Sequence, residues 1–435
     1  MTSTIIILVT ITTMLVLLFL GSSVFICLGT AGIVGLFLNG GFGALSILQT
    51  TVFGSVARFS LVAIPLFMLM GEIIFRSGIG EDLFNAMSRI LRRFPGGLAI
   101  ATVFASAIFG AMCGISIAAV ASIGVVALPQ MLKRGYDPKL AAGAVCAPGA
   151  LSMLIPPSIL FILYGEVANV SVAKLFAAGI LPGLLMAFLM ALYIFLKEVK
   201  SKRKSEDLNN IDEPLTLKEF MSLMKELWAP VLLIIAVLGS IYAGIATPSE
   251  SAAIGCVGAY SIALIYRRLN WSIFRETLRH TARTSCMILV IFIGAVIFIQ
   301  FLNILHVPEI FAEFIISMNV SPWVTMILIM LMLLVLGMFL DGGSMVLVTT
   351  PILLPTVLAM GWDPIWFGVL MIANINIAVI TPPVGLNLYT LASVTKDVDM
   401  ETILKGTMPY VLVELVALLI LIIFPQISLW LPSTM

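Results

Sequence analysis

Long apolar blocks run along this chain, separated by short polar punctuation. A helix that crosses a bilayer needs about 20 apolar residues. Blocks at 4–20, 22–38, 59–76, 175–197, 228–246, 249–266, 284–304 and 408–431 meet that need and predict ordinary spanning helices. Four stretches do not fit. Residues 97–132 and 322–359 are uncharged except for Asp341. As single helices they would be roughly 54 Å long, too long for one crossing. Neither holds a polar loop that would divide it into two crossings. Each has a small, polar, helix-weak spot near its middle, "CGIS" at 113–116 and "LDGGS" at 340–344. The pattern predicts two re-entrant hairpins that enter, turn and leave on the same side. The remaining pair, 139–164 and 365–391, is interrupted by "IPPS" at 155–158 and "TPPV" at 381–384. Proline removes a backbone donor and clashes with the preceding turn, so two in a row unwind a helix. Both stretches are therefore predicted to be broken helices. Bare backbone at membrane depth is tolerated only inside protein or beside a water-filled cavity.

Composition agrees with lipid as the solvent. Of 435 residues 61% are hydrophobic and 10% charged, with a mean hydropathy of +1.17. Soluble domains carry about 25% charged residues. The net charge of +1 gives no reason to expect a nucleic-acid partner. Cys27, Cys113, Cys146, Cys256 and Cys286 sit in apolar segments without metal-ligand spacing and read as small apolar filler. No phosphate-binding "GxxxxGK[ST]" occurs, so the chain does not itself hydrolyse a nucleotide by a P-loop. The apolar start lacks a basic leader and reads as a permanent helix, not a signal peptide.

The punctuation is written twice. "LPQMLKRGYDP" from Leu128 is matched by "LPTVLAMGWDP" from Leu354, an offset of 226 residues. The double prolines share that offset, as do "GSS" at 21–23 with "TPS" at 247–249 and Gly29 and Gly32 with Gly255 and Gly258. The chain thus divides into a first repeat, 1–197, a charged cytoplasmic linker, 198–227, and a second repeat, 228–435. A hairpin crosses nothing, so each repeat makes five crossings. An odd number inverts the second repeat against the first. The fold class is an all-α polytopic membrane protein of two inverted repeats, each with a hairpin and a broken helix.

Charge tests the inversion independently. It puts loops 76–94, 133–139, 197–227, 267–283 and 391–407 on one side and 39–58, 165–174, 305–321 and 360–364 on the other. The first set holds 21 of the 23 basic residues, and the second only Arg58 and Lys174. The positive-inside rule makes the first set cytoplasmic and both termini periplasmic.

Inverted repeats whose broken helices meet near the midplane build substrate and coupling-ion sites in secondary transporters. Half-helix N-termini suit an anion; half-helix C-termini and unwound carbonyls offer oxygens to Na⁺. Candidate Na⁺-site residues are Gly114 and Ser116 in the first hairpin turn and Pro156 and Ser158 in the first break. Asp341, Gly342, Gly343 and Ser344 in the second hairpin turn and Thr381, Pro382 and Gly385 in the second break complete the set. Asp341 is the only ionisable residue inside either hairpin, and an intramembrane carboxylate is costly enough to suggest function. Its bland alternative is a buried helix cap. Pro157, Asn374, Asn376, Pro383 and Asn387 are candidates for the substrate path, although the three amides could simply bond across helices. Glu72 reads as an interfacial residue with a possible role, and His280 and His306 as helix-end residues without ligand spacing.

Four segments carry a family resemblance: "FASAIFGAMCGISIAAVASIGVVALPQMLKRGYDP", "LIPPSILFILYG", "GMFLDGGSMVLVTTPILLP" and "ITPPVGLNLYTLAS". They resemble the large membrane subunit of tripartite ATP-independent periplasmic (TRAP) transporters, over nearly the whole chain. The resemblance implies a permease of the bacterial inner membrane, driven by a Na⁺ gradient and needing no other cofactor. It implies a small four-helix membrane subunit and a periplasmic binding protein that delivers an organic acid anion. It also implies an elevator movement of hairpins and broken helices against a fixed scaffold. One departure is "CGIS" where the family commonly shows a Ser-Gly-Ser-like turn; Cys113 cannot offer Na⁺ a hard oxygen as serine would.

Two further segments have helical apolar faces. In 81–94 the face is Leu83, Phe84, Met87, Ile90, Leu91 and Phe94; in 308–318 it is Ile310, Phe311, Phe314, Ile315 and Met318. Both predict interfacial helices, either arms joining moving and fixed parts or plain anchors on the lipid surface. Rival functions are a stand-alone carboxylate/Na⁺ symporter with no binding protein, a channel, and an intramembrane enzyme or proton pump. The last class needs relays or paired catalytic groups, and the hairpins and broken helices supply only Asp341 apart from residues at their ends, such as Glu166.

Overall fold

The computed structural model describes residues 3–200, 227–318 and 320–435, and all regular elements among them are helical. The first half holds α1 (Ser3–Phe19), α2 (Val24–Val56), α3 (Ala63–Arg76), α4 (Ile79–Ile90), α5 (Gly97–Cys113), α6 (Ser116–Lys133), α7 (Pro138–Ala150), α8 (Ile159–Ala168) and α9 (Val172–Lys200). The second holds α10 (Trp228–Tyr242), α11 (Pro248–Ile265), α12 (Trp271–Ile304), α13 (Val307–Ser317), α14 (Pro322–Gly337), α15 (Gly342–Ala359), α16 (Pro364–Ala378), α17 (Leu386–Val394), α18 (Met400–Ile423) and the short α19 (Gln426–Leu429). Eight helical segments among the described residues are long and apolar enough to cross a membrane. The chain is a multi-pass membrane protein.

The duplicated punctuation has a local cause. Gly135 and Gly361 close the turns after α6 and α15 at φ +73° and +72°, a left-handed conformation that side chains resist. Asp137 then caps α7 by accepting from the Lys139 N–H at 3.1 Å, and Asp363 caps α16 by accepting from the Ile365 N–H at 2.7 Å. The following proline occupies the first helical position, where a missing N–H costs nothing. The helices α6 and α15 start at Ser116 and Gly342, and α7 and α16 at Pro138 and Pro364, so the offset of 226 holds element by element. Both double prolines contain a cis peptide bond, Pro156–Pro157 and Pro382–Pro383. They lie in the unwound stretches between α7, which ends at Ala150, and α8, and between α16, which ends at Ala378, and α17.

Packing gathers the helices into two groups. In one, α2 lies along α12 and α11 along α3. Small residues set these approaches: a Cβ on Gly32 would meet the Ile297 backbone at 2.9 Å, and one on Gly255 the Met70 sulfur at 2.5 Å. The other group contains α5–α9 and α14–α18, with α18 packed along α7. There Gly143 lies against Gly406, whose own Cβ would stand 2.1 Å from the Lys139 carbonyl oxygen. All residues of α7 from Leu140 to Ala150 are buried, as are all of α16 from Trp366 to Ala378. Broken helices thus form the centre of this group, not its rim.

Several sequence expectations are corrected. Residues 39–58 and 267–283 were expected as loops, but α2 continues to Val56 through a kink at Gly40 and Gly41, and α12 already begins at Trp271. A hydropathy pattern marks where lipid ends, not where hydrogen bonding ends. Asn270 caps α12 by accepting from the Ile273 N–H at 2.8 Å, and the polar first turns project from the apolar part. The final helix starts at Met400, not 408, and ends at Ile423. Helix α4 ends at Ile90, so Leu91 and Phe94 fall outside it, and Phe94 is exposed. Leu83 and Phe84 are buried against α5 and α6, so this helix packs on protein instead of lying on lipid. Its counterpart α13 buries only Pro308 and Ala312 and exposes Ile310, Phe314 and, just beyond its end, Met318. Residues 198–200 complete α9, while 201–226 of the expected linker lie outside the described residues.

Candidate cation and substrate site

The first hairpin turns at Gly114, in the left-handed region at φ +63°. A Cβ there would stand 2.7 Å from the carbonyl oxygen of Pro157, so the turn rests on the first break of its own half. Ser116 opens α6, and its hydroxyl donates to Asn387 Oδ1 at 2.5 Å. The Asn387 amide in turn donates from Nδ2 to the Cys146 carbonyl at 3.0 Å, and its backbone N–H donates to the Val379 carbonyl at 3.2 Å. One residue of α17 therefore ties together the first hairpin, the first broken helix and the second break. Ser158 caps α8 by accepting from the Phe161 N–H at 3.4 Å, and its hydroxyl donates to the Met153 carbonyl. Pro156, Pro157 and Ser158 are buried. Cys113 turns its thiol to the Ile115 carbonyl at 3.6 Å, a contact within its own turn.

The second hairpin turns at Asp341. Its carboxylate caps α15, accepting from the Ser344 N–H at 3.0 Å and the Ser344 hydroxyl at 2.5 Å. The cap geometry is thus present; a carboxylate with about four lone-pair sites keeps capacity beyond these two bonds. Gly342 faces Ile375 of α16 and Leu160 of α8, and Gly343 faces Leu163. The Val384 N–H donates to the Met338 carbonyl at 3.2 Å, joining the second break to the first limb of its hairpin. Thr381 closes the end of α16, its hydroxyl donating to the Ile377 carbonyl at 2.6 Å. Gly385 caps α17 in the left-handed region. Pro382, Pro383 and Val384 are exposed, unlike their buried counterparts in the first half.

Each hairpin thus touches its own break and crosses to the outgoing half-helix of the other repeat, α6 to α17 and α15 to α8. The amides divide. Asn374 Nδ2 donates across to the Met330 carbonyl at 2.7 Å, and Asn387 also bonds across helices. Asn376 is fully buried, and neither its oxygen nor its nitrogen has a protein partner. Glu72 pairs with Arg76 at 2.8 Å and has the His280 imidazole 3.7 Å away, and it lies away from the breaks in sequence. His306 lies 4.0 Å from Glu309.

Sequence reasoning missed Glu414. It stands in α18, fully buried, and neither carboxylate oxygen has a protein partner. Its signal was visible: past Lys405, it is the one ionisable carboxyl in the rest of that helix.

Comparison with known proteins places this geometry. Residues 11–427 match the family model described as the DctM component of the tripartite ATP-independent periplasmic transporter. The chain is 34% identical over 388 residues to the C4-dicarboxylate TRAP transporter large permease protein DctM of Pseudomonas aeruginosa, covering 89% of each chain. It is 31% identical over 383 residues to the sialic acid TRAP transporter large permease protein SiaM of Vibrio cholerae, covering 87% of this chain and 88% of that one. Among solved structures, the YdaH transporter of Alcanivorax borkumensis shares the fold at a TM-score of 0.64 and 16% identity, over 89% of this chain and 90% of that one.

Proposed function

The chain belongs to the DctM, or large-permease, family of TRAP transporters, and on that premise we propose that it is the permease of a Na⁺-coupled, ATP-independent importer of an organic acid anion. The family makes it a transport component and not an enzyme. In this reading it works in the bacterial inner membrane beside a small four-helix subunit, and a periplasmic binding protein delivers the anion. The relatives named for C4-dicarboxylates and sialic acid suggest a carboxylate.

The two halves are inverted repeats, their hairpins re-entrant, and the group containing α5–α9 and α14–α18 is the moving body of an elevator. Pairings between distant segments support the sidedness. Segments assigned to the basic side meet one another: Arg268 with Asp82 at 2.5 Å, Arg76 with Glu276 at 2.6 Å, Lys197 with Asp137 at 3.6 Å. Segments assigned to the other side also meet: Arg58 with Glu166 at 3.2 Å, and the Ser249 hydroxyl with the Phe59 carbonyl at 3.1 Å.

The observation that carries the reading is the crossing of Ser116 to Asn387 beside two breaks. Hairpin turns and unwound carbonyls at Gly114, Ser116, Pro156, Ser158, Asp341, Gly342, Gly343, Ser344, Thr381, Pro382 and Gly385 offer oxygens to Na⁺. Pro157, Asn374, Asn376, Pro383 and Asn387 border the substrate path, with Asn376 the amide whose hydrogen-bonding capacity is unused by protein. A cation held at the turns favours one arrangement of hairpin and break, so its binding free energy is available to the anion through the same arrangement.

Reconstitution of the chain with its small subunit and binding protein tests this. Uptake into proteoliposomes should need an inward Na⁺ gradient and no ATP. Equal uptake with K⁺ or choline in place of Na⁺ rejects the coupling. Full uptake without binding protein would favour the stand-alone symporter.

A further inference from the structure

A cavity of about 350 Å³ opens between the two helix groups, where the end of α2, the end of α8, the end of α12, the start of α13 and the second limb of the second hairpin converge. Small-molecule sites begin at about this size. Its polar lining includes Thr51, Ser55, Arg58, Glu166, Gln300 and Asn303. All five converging segments lie on the side that charge assigns to the periplasm. Arg58 is one of only two basic residues on that side.

The Arg58–Glu166 pair is lopsided. The Arg58 side chain is 48% exposed and the Glu166 side chain 9%. Only Arg58 Nη1 reaches Glu166, at 3.2 Å to Oε2. A guanidinium carries five donors in a planar fork, and its strongest carboxylate geometry uses two in parallel. Here the fork is half used and faces the cavity. Glu309 also lines the cavity, 4.0 Å from His306. Two carboxylates against one guanidinium repel a bystander anion, so a ligand gains only if it takes the fork itself.

We propose that Arg58 is the reception point for the carboxylate of the incoming organic acid, and that the substrate carboxylate replaces Glu166 on its guanidinium. The hydroxyls and amides of Thr51, Ser55, Gln300 and Asn303 receive the polar remainder of the ligand. The exchange also releases α8 from the end of α2, two elements of different helix groups, so arrival of substrate loosens one tie between them. This inference rests on the transport of an organic acid anion proposed above.

Charge removal on the two partners separates the reading from a plain structural ion pair. Equilibrium binding of radiolabelled carboxylates, succinate first and then a panel of mono- and dicarboxylates, is measured on the purified complex with its small subunit. Arg58→Gln should weaken binding roughly 10-fold or more, the loss expected for a charged hydrogen bond. Arg58→Lys should fall between, since lysine keeps the charge but not the fork. Glu166→Gln should tighten binding, because it removes the competitor. A structural pair predicts that both charge-removing variants shift affinity in the same direction or not at all, and either result overturns the proposal. So does a wild-type complex that binds no carboxylate of the panel. Binding with this pattern but without Na⁺-driven accumulation would uphold Arg58 and reject the coupled-import reading. Na⁺-driven uptake with unchanged affinity in all three variants would do the reverse.

Discussion

Ser116 and Asn387 lie in different halves of the chain, yet the serine hydroxyl donates to the asparagine oxygen at 2.5 Å inside a fully packed region. Both side chains are buried, so the bond is made against little competition from water. A net contribution of about 0.5–1.5 kcal/mol is expected for such a pair. Combining Ser116→Ala with Asn387→Ala should give less destabilisation than the two single effects added, by about that amount. Asn387→Ala alone should be the more severe, because it also removes the bond to the Cys146 carbonyl. Strict additivity in thermal unfolding of the purified complex would show the two residues to be energetically independent.

Asp341 presents a choice between cap and cation ligand. Asparagine is nearly as good a cap as aspartate, whereas alanine is not. If the carboxylate also holds Na⁺, Asp341→Asn should raise the Na⁺ needed for half-maximal uptake by roughly 10- to 150-fold, the equivalent of about 1.5–3 kcal/mol. Substrate affinity at saturating Na⁺ should change much less. Normal Na⁺ dependence in a well-expressed Asp341→Asn protein would leave only the cap.

Topology can be read at matched positions. Lys133 and Ala359 end the second limbs of the two hairpins, are exposed, and are related by the repeat offset. Single cysteines there, in a background without the five native ones, should react with impermeant reagent from opposite sides: Lys133→Cys from the cytoplasm, Ala359→Cys from the periplasm. Labelling from one side would remove the inversion.

The contact of α7 with α18 has no room for a methyl group. A Cβ on Gly143 would stand 2.2 Å from the Gly406 carbonyl oxygen. Gly143→Ala and Gly406→Ala should each cost about 1–3 kcal/mol, the range for overpacking. Gly54, a helical position where a Cβ meets nothing within 4 Å, is the control. Gly54→Ala should be neutral or stabilise by up to about 1 kcal/mol. Equal thermal midpoints for all three variants would contradict the packing.

What could be read beforehand was backbone chemistry at fixed addresses. Gly135, Asp137 and Pro138 each have one conformational task, and the task shows in the residue type. The same holds for the double prolines. Partnerships could not be read, because nothing local to Ser116 names Asn387, or local to Arg58 names Glu166. The helical content of 42–56 and 271–283 was also hidden. Polar residues leave the lipid without leaving the helix, and hydropathy reports only the first event. The unequal burial of α4 and α13 is a third case: their apolar faces look alike, and only tertiary packing covers one and not the other.

The two crossings differ in chemistry. Where the first hairpin meets the other repeat, serine meets asparagine; at the matched place in the second, Gly342 meets Leu160. The first-half counterpart of Asn387 is Phe161. A chain made of two first halves would set the Ser116 hydroxyl against an aromatic ring, and one made of two second halves would set Asn387 against a glycine. Neither tandem satisfies its buried polar groups. At this crossing the two halves are complementary and not interchangeable.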